Sequence, residues 1–569
     1  MEEDLKTANG REWTRIPERD RVHVLKKGTD HRNSFFNWLF PFASIRVHSR
    51  LKLPTEAPSR SASTSSVRFP ALSRHFAVKL FSALTLTLAV SPAAEFDECY
   101  KIEDIKLPEG VPPEVGGIDF APDGSIFVVL RRGDVIKAAP TSDAKAFDWQ
   151  PFASGFHNGC GIDAVSATKI RITQMADMIE VEDSDKDGKA DRYTRFAAGW
   201  DLSGNYHETN TLTKDGKGGY FISIGTASHA GPTFEHVLGE YSAAGRRGRN
   251  YASVKWKGWI LHTDAQGKVT PVASGFRMAN GIYQDPDNNL WAGDNQGDWK
   301  AITPLYHVEQ GNFYGHPSSL AWDPAWAGKD PLATYRNDLD AYNKARTKAA
   351  VEMPNKEINR SAGEPMELPR NGSFGPFAGQ LLVPDNNGER ISRVMLEKVN
   401  GKFQGAVTQF IQNHGLRSGN HRLRFSPDGK QLYVGQTVRG WGSPAEGLQR
   451  ITWKGGVPFD IESFKITKKG FTLTFTKDLP DKLKEKKAWE FSSFTVQPKW
   501  TYGSDQENER KHEVAEFKVS SKRSVEVELE DFAAGKIYKM ELPKDVKSGD
   551  DKSPLQNRLA YYTANELPK

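Results

Sequence analysis

Short runs in which hydrophobic and polar residues alternate, each closed by a Pro/Asp/Asn/Gly turn, recur along the middle of the chain. The clearest are Gly117-Ile118-Asp119-Phe120-Ala121-Pro122-Asp123-Gly124-Ser125-Ile126-Phe127-Val128, Gly281-Ile282-Tyr283-Gln284-Asp285-Pro286-Asp287-Asn288-Asn289-Leu290-Trp291-Ala292, and Arg422-Leu423-Arg424-Phe425-Ser426-Pro427-Asp428-Gly429-Lys430-Gln431-Leu432-Tyr433-Val434. A period of two predicts half-buried strands, and Asp-Gly or Asn-Asn pairs accept the positive φ that closes a hairpin. Weaker copies run from Gly161 to Ile172, from Asn210 to Ile224 and from Phe377 to Val394. One such sheet cannot bury its own faces, whereas a ring of them can. The pattern therefore predicts an all-β chain, a six-bladed β-propeller over 95–458, with a seventh, divergent copy left open. Residues 228–256 and 318–365 read as long polar connections between units.

After Pro458 the alternation continues without the repeated signature, in Phe464–Ile466, Phe471–Phe475, Phe494–Val496, Ser524–Leu529 and Tyr538–Leu542. These strands predict a small C-terminal β-sandwich-like domain over 459–569.

Ahead of the repeats, residues 1–77 are rich in Arg, Lys and Ser with no sustained apolar period, and read as disordered or as a mis-called start. Lys79, the apolar run to Val90 and the small residues Ser91-Pro92-Ala93-Ala94 then form a secretory signal peptide over 78–94. The run is shorter than the roughly 20 residues a bilayer needs. The expected location is periplasmic or secreted, with the true start near Val78 and no transmembrane span after cleavage. Two cysteines, Cys99 and Cys160, follow the cleavage point; one disulfide suits an oxidising compartment, and spacing does not decide it. A net charge of only +5 gives nucleic-acid binding no support.

The sharpest local signal is Asp183-Ser184-Asp185-Lys186-Asp187-Gly188-Lys189-Ala190-Asp191. Carboxylates stand at the first, third, fifth and ninth positions, Gly188 at the sixth, and Lys189 at the seventh, which offers its backbone carbonyl in a calcium loop. Thr194 stands where such a loop ends in a bidentate Glu. A solvated acidic turn is the alternative; calcium is expected because carboxylates this dense repel without a cation.

A second constellation comprises Gly275-Phe276-Arg277-Met278-Ala279-Asn280-Gly281, Trp291-Ala292-Gly293-Asp294-Asn295-Gln296-Gly297-Asp298-Trp299 and Gly311-Asn312-Phe313-Tyr314-Gly315-His316-Pro317. In order and content these segments resemble the glucose/sorbosone dehydrogenase family, six-bladed propellers that use pyrroloquinoline quinone and calcium. The chain is most similar to the secreted dehydrogenase-like members of planctomycete-type bacteria, from about Leu107 to Gly456. The resemblance implies His207, shortly before the Lys214-Asp215-Gly216 hairpin, as catalytic base, since a neutral imidazole suits removal of a sugar hydroxyl proton. It implies Arg277, Asn280 and Gln296 at the quinone, whose carboxylates favour a planar guanidinium. Gly297 and Asp298 fall where the family places calcium contacts. The family's Pro after Gln-Gly is Asp298 here, and Met278-Ala279 stands where it has Asn-Pro.

These residues predict an oxidoreductase of a sugar or a related alcohol or aldehyde, using pyrroloquinoline quinone and Ca2+. Its partners would be a small-molecule carbohydrate substrate and, with no Cys-x-x-Cys-His haem motif, a separate electron acceptor. Two other classes stay open: a non-catalytic propeller that binds carbohydrate or protein, and a calcium-dependent lactonase-type hydrolase.

Overall fold

The computed structural model describes residues 92–203, 209–228, 238–437 and 445–569. The chain is an all-β propeller. Among the described residues, six units of four antiparallel strands follow one another over 115–154, 161–198, 209–274, 279–353, 366–412 and 420–453, the fifth of them one half of an eight-stranded sheet. The last is completed from the other end of the sequence: Tyr100–Ile105 pairs with Gly447–Trp453, Tyr100 opposite Trp453 and Ile105 opposite Leu448. This strand becomes the outermost of the last sheet and ties the two ends of the propeller together.

A separate apolar cluster fills each gap between neighbouring sheets. Val129 and Phe127 of the first meet Ile162 and Ile172 of the second. Met178 meets Ile222 across the next gap, Ile260 meets Ile282, and Leu305 meets Leu381. Leu382 meets Leu432 between the fifth and sixth sheets, and Ile126 meets Tyr433 between the first and sixth. Strand Ile126–Leu130 is therefore buried along its whole length. Sheets packed on both faces read as hydrophobic throughout rather than cleanly alternating.

Each hairpin expected from the repeats is present, at 115–130, 161–173, 209–224, 279–294, 381–399 and 420–436. In the fifth sheet the phase differs. Leu381–Pro384 and Arg390–Val399 are its second and third strands, and its first is the two-residue Met366–Glu367. That strand follows Pro365, which has no N–H to donate, and is too short to show a period. The 318–365 stretch carries two short helices, Pro331–Asn337 and Leu339–Ala345, and then Val351–Met353, the outer strand of the fourth sheet.

Beyond Pro458 two sheets face each other across one core, in which Phe464, Phe471 and Leu473 meet Phe491, Tyr538 and Tyr562. One of them continues the fifth propeller sheet: Lys402–Gln412 pairs with Leu559–Ala564, Gly405 opposite Thr563, and the eight strands run on without a break. Met395, Val399 and Ala406 of the propeller belong to the same core. Cys99 and Cys160 are both buried and are not joined in a disulfide. Among the described residues no helix is long and apolar enough to cross a membrane.

Candidate functional site

The three segments singled out around Arg277 converge at one end of the fourth sheet. Residues 275–278 lead into its inner strand and 295–302 link its second and third strands, so both lie at the same end of an antiparallel sheet. The 311–316 segment joins them: the N–H groups of Tyr314 and His316 donate to the carbonyls of Ser274 and Gly275.

Asp294, fully buried at the end of the second strand, organises the backbone there. Its carboxylate accepts from the N–H groups of Arg277 (2.9 Å), Met278 (2.7 Å) and Asn295 (2.8 Å). Lys300 Nζ lies 3.2 Å from the same carboxylate and donates to the carbonyls of Gly275 and Tyr314. Burial lowers the Lys300 pKa, against the pull of Asp294.

Asp298 is the electrostatic centre. Its Oδ1 accepts from Arg277 Nε at 2.9 Å, and its Oδ2 accepts from the Asn250 N–H at 3.2 Å and lies 3.1 Å from His316 Nε2. Burial alone would raise its pKa; the imidazole of His316 and the guanidinium of Arg277 outweigh that and hold the carboxyl far below the usual aspartate range. His316 Nδ1 is 2.8 Å from Ser318 Oγ, which gives the Asp298–His316–Ser318 chain the connectivity of a hydrolytic relay. Ser318 and His316 are fully buried, so the chain braces the segment rather than presenting a nucleophile.

A strap from beyond the propeller covers this cluster. Gly503 N–H donates to the Gly297 carbonyl at 2.9 Å, Trp299 N–H donates to the Lys499 carbonyl at 2.7 Å, and Asp298 and Tyr502 form an antiparallel bridge. The Tyr502 ring lies 5.5 Å from the Arg277 guanidinium carbon. Gly297 is required beneath it, because a Cβ there would fall 2.0 Å from Arg277 Nε.

The structure thus brings Arg277, Gly297 and Asp298 into contact, and gives the Gln296 side chain and the Asn280 backbone carbonyl internal partners. Gln296 donates to the Ala301 carbonyl and accepts from Asn355. The Asn280 carbonyl accepts from Arg422, whose guanidinium also donates to the carbonyls of Gly116 and Cys160. Arg422 therefore ties four sheets together across the propeller axis. His207 lies outside the described residues, as do residues 78–91 of the expected signal peptide.

These donors do not fit a calcium-held quinone at Gln296–Asp298. The Gly297 carbonyl already accepts two N–H groups, from Lys300 and Gly503. The Asp298 carboxylate faces a guanidinium and an imidazole, and a divalent cation would have to displace both.

The acidic loop at Asp183 is different, and it lies at the opposite end of the propeller. It joins the third and fourth strands of the second sheet, Asp177–Glu182 and Arg192–Ala198. One ligand oxygen from each of Asp183, Asp185 and Asp187 lies within 4.8 Å of the others. Backbone N–H groups of Asp187, Gly188 and Lys189 wrap these carboxylates, and Lys186 and Gly188 take the positive φ the loop needs. Asp191 instead accepts from Ser184 N–H and Oγ, both at 2.7 Å. The first three carboxylates suit a hard cation, and Asp191 serves to close the loop.

Sequence patterns missed the roles of Asp294, Lys300 and His316, although Asp294 and His316 sit inside the quoted motifs. Tyr502 gave no signal, being about 200 residues away in sequence from the residues it covers.

No family model matches the chain, and no curated protein matches it. Solved structures with similarity include the pyranose dehydrogenase PQQ domain of Coprinopsis cinerea, at 14% identity over 62% of this chain and 95% of that one, TM-score 0.44. The PQQ-bound aldose sugar dehydrogenase of Streptomyces coelicolor gives 15%, 62%, 98% and 0.42. A Trichoderma reesei protein of Carbohydrate-Active Enzymes Family AA12 gives 12%, 62%, 96% and 0.43. Likeness of this order assigns no residue and no activity.

Proposed function

We propose that the protein is a secreted oxidoreductase of a sugar or a related alcohol or aldehyde, of the planctomycete-type dehydrogenase-like kind. One observation supports the reading: the three segments whose order resembles the glucose/sorbosone dehydrogenase family meet at one end of the fourth sheet, around Arg277. His207 is the base in this reading, taking the hydroxyl proton while the hydride of the carbinol carbon passes to a separate two-electron acceptor. Because the donors at Gln296–Asp298 do not fit a calcium-held quinone, no step is routed through that group. Calcium belongs to the Asp183 loop in this proposal, where it stiffens the second sheet away from the chemistry.

A second reading has its own support. The saturated Gly297 carbonyl and the charge-paired Asp298 favour a non-catalytic propeller that binds carbohydrate. An absorbance titration of the purified protein with pyrroloquinoline quinone and calcium, followed by dye reduction over a panel of sugars, separates the two. Dye reduction that is lost in His207→Ala supports the oxidoreductase. No quinone binding and no dye reduction, with saccharide binding retained, replaces it with the binding propeller.

A further inference from the structure

A cleft of about 400 Å³ opens between the 247–249 segment, helix Pro331–Asn337 and the strap, with Asp298 and Trp299 in its lining. Its size is that of a small-ligand site. Three arginines and a tryptophan face it: Arg247, Arg249, Arg336 and Trp500. Both carboxylates in the cleft are committed, Asp330 to Arg247, and Asp298 to Arg277 and His316. Arg249 and Arg336 are paired with rings instead: the Arg249 guanidinium lies 4.7 Å from the centroid of Tyr502, and that of Arg336 lies 5.3 Å from the centroid of Trp500.

We propose that this cleft is a subsite for an acidic saccharide, one carrying a carboxylate or a sulfate ester. A guanidinium resting on an aromatic ring is held flat, loses little further freedom on binding and keeps its N–H edge for a bidentate contact with an oxyanion. Two such groups, with no carboxylate paired to them among the described residues, set the sign of the ligand. Trp500 is 38% exposed and offers a face on which the C–H side of a pyranose ring stacks. The three segments come from the third sheet's insertion, the fourth sheet's insertion and the C-terminal region, so the subsite exists only in the complete fold. It rests on the reading of the protein as carbohydrate-directed and names the substrate class; it does not depend on turnover.

The test is calorimetric titration of the full chain with trigalacturonate, a sulfated galactose trisaccharide and neutral galactotriose, in low and high salt. Tighter binding of the acidic saccharides, weakened by salt as screening requires, is the expected result. The carboxylate and sulfate arms tell which anion the site takes. Arg249→Gln and Arg336→Gln are each expected to weaken acidic binding about tenfold, the loss of one charge-assisted contact, and to lower the unfolding temperature by no more than a few degrees, the loss of one ring contact. Equal binding of acidic and neutral sugars, or acidic binding indifferent to both substitutions, overturns the proposal. Dye reduction, measured separately, decides the oxidoreductase reading: acidic binding without turnover keeps the subsite and removes the enzyme, and turnover of neutral sugars alone does the reverse.

Discussion

At one end of the propeller, the carboxylates of Asp183, Asp185 and Asp187 converge and, among the described residues, accept from backbone N–H groups alone; at the other, the carboxylate of Asp298 is enclosed by Arg277, His316 and a backbone N–H. Backbone dipoles shape the first site without cancelling its charge, so it attracts a cation. The Arg277 guanidinium cancels the second, so it repels one. The same residue type, noted in sequence as a metal ligand at both places, acquires opposite roles from its neighbours.

The largest expected effect tests the buried side. Arg277→Met leaves Asp298 buried without its guanidinium, which costs about 3–5 kcal/mol, read from the denaturant midpoint at constant m. The pH dependence has a definite sign. The unfolded chain protonates this aspartate in the ordinary range and the folded one only well below it, so the stabilisation is complete above that range and is lost progressively as pH falls from it through the lower folded value. In Arg277→Met the loss should be smaller, because less depression remains. A variant as stable as the parent would mean that His316 suffices, and the contrast between the two ends would weaken.

Calcium tests the exposed side. At a hundredfold excess over its dissociation constant, a single site adds about 2.7 kcal/mol to the folded state. Calorimetry should show the unfolding temperature rising by a few degrees with calcium and returning with chelator. The response should vanish in Asp185→Asn/Asp187→Asn and persist in Arg277→Met. No response in the parent chain would make the loop a solvated turn.

Gly297→Ala comes next. The new Cβ meets the Arg277 guanidinium at the base of the strap, and relief of that clash costs about 1–3 kcal/mol. Stability unchanged within error would show that Arg277 has room to move, and that its pairing with Asp298 is less fixed than its geometry implies.

What was legible follows from distance along the chain. The hairpins at Asp123-Gly124 and Asp428-Gly429, and the loop at Asp183, are closed by residues a few positions apart, so alternation and turn chemistry exposed them. The fifth sheet was read out of phase because its first strand is two residues long and preceded by Pro365. Nothing local announces that Gly405 pairs with Thr563, so the C-terminal strands gave no sign that they extend a propeller sheet. The candidate site divides the same way. Motif order singled out Arg277, Gly297 and Asp298, but their mutual pairing, and the partners His316 and Tyr502, arise from contacts among segments that only the fold assembles.

The smallest effect is expected at the strap. Tyr502→Ala removes the ring beside both Arg277 and Arg249 and should cost about 1 kcal/mol, the size of a partly exposed cation–π contact. The bonds that hold the strap down are backbone bonds, from Gly503 N–H to the Gly297 carbonyl and from Trp299 N–H to the Lys499 carbonyl. They do not involve the ring, so hydrogen exchange at Gly503 and Trp299 should stay protected in the variant. Loss of that protection would mean that one side chain pins the strap. The Gly297 carbonyl would then be released whenever the ring swings away, and the end of the propeller that repels a cation would gain an acceptor able to bind one.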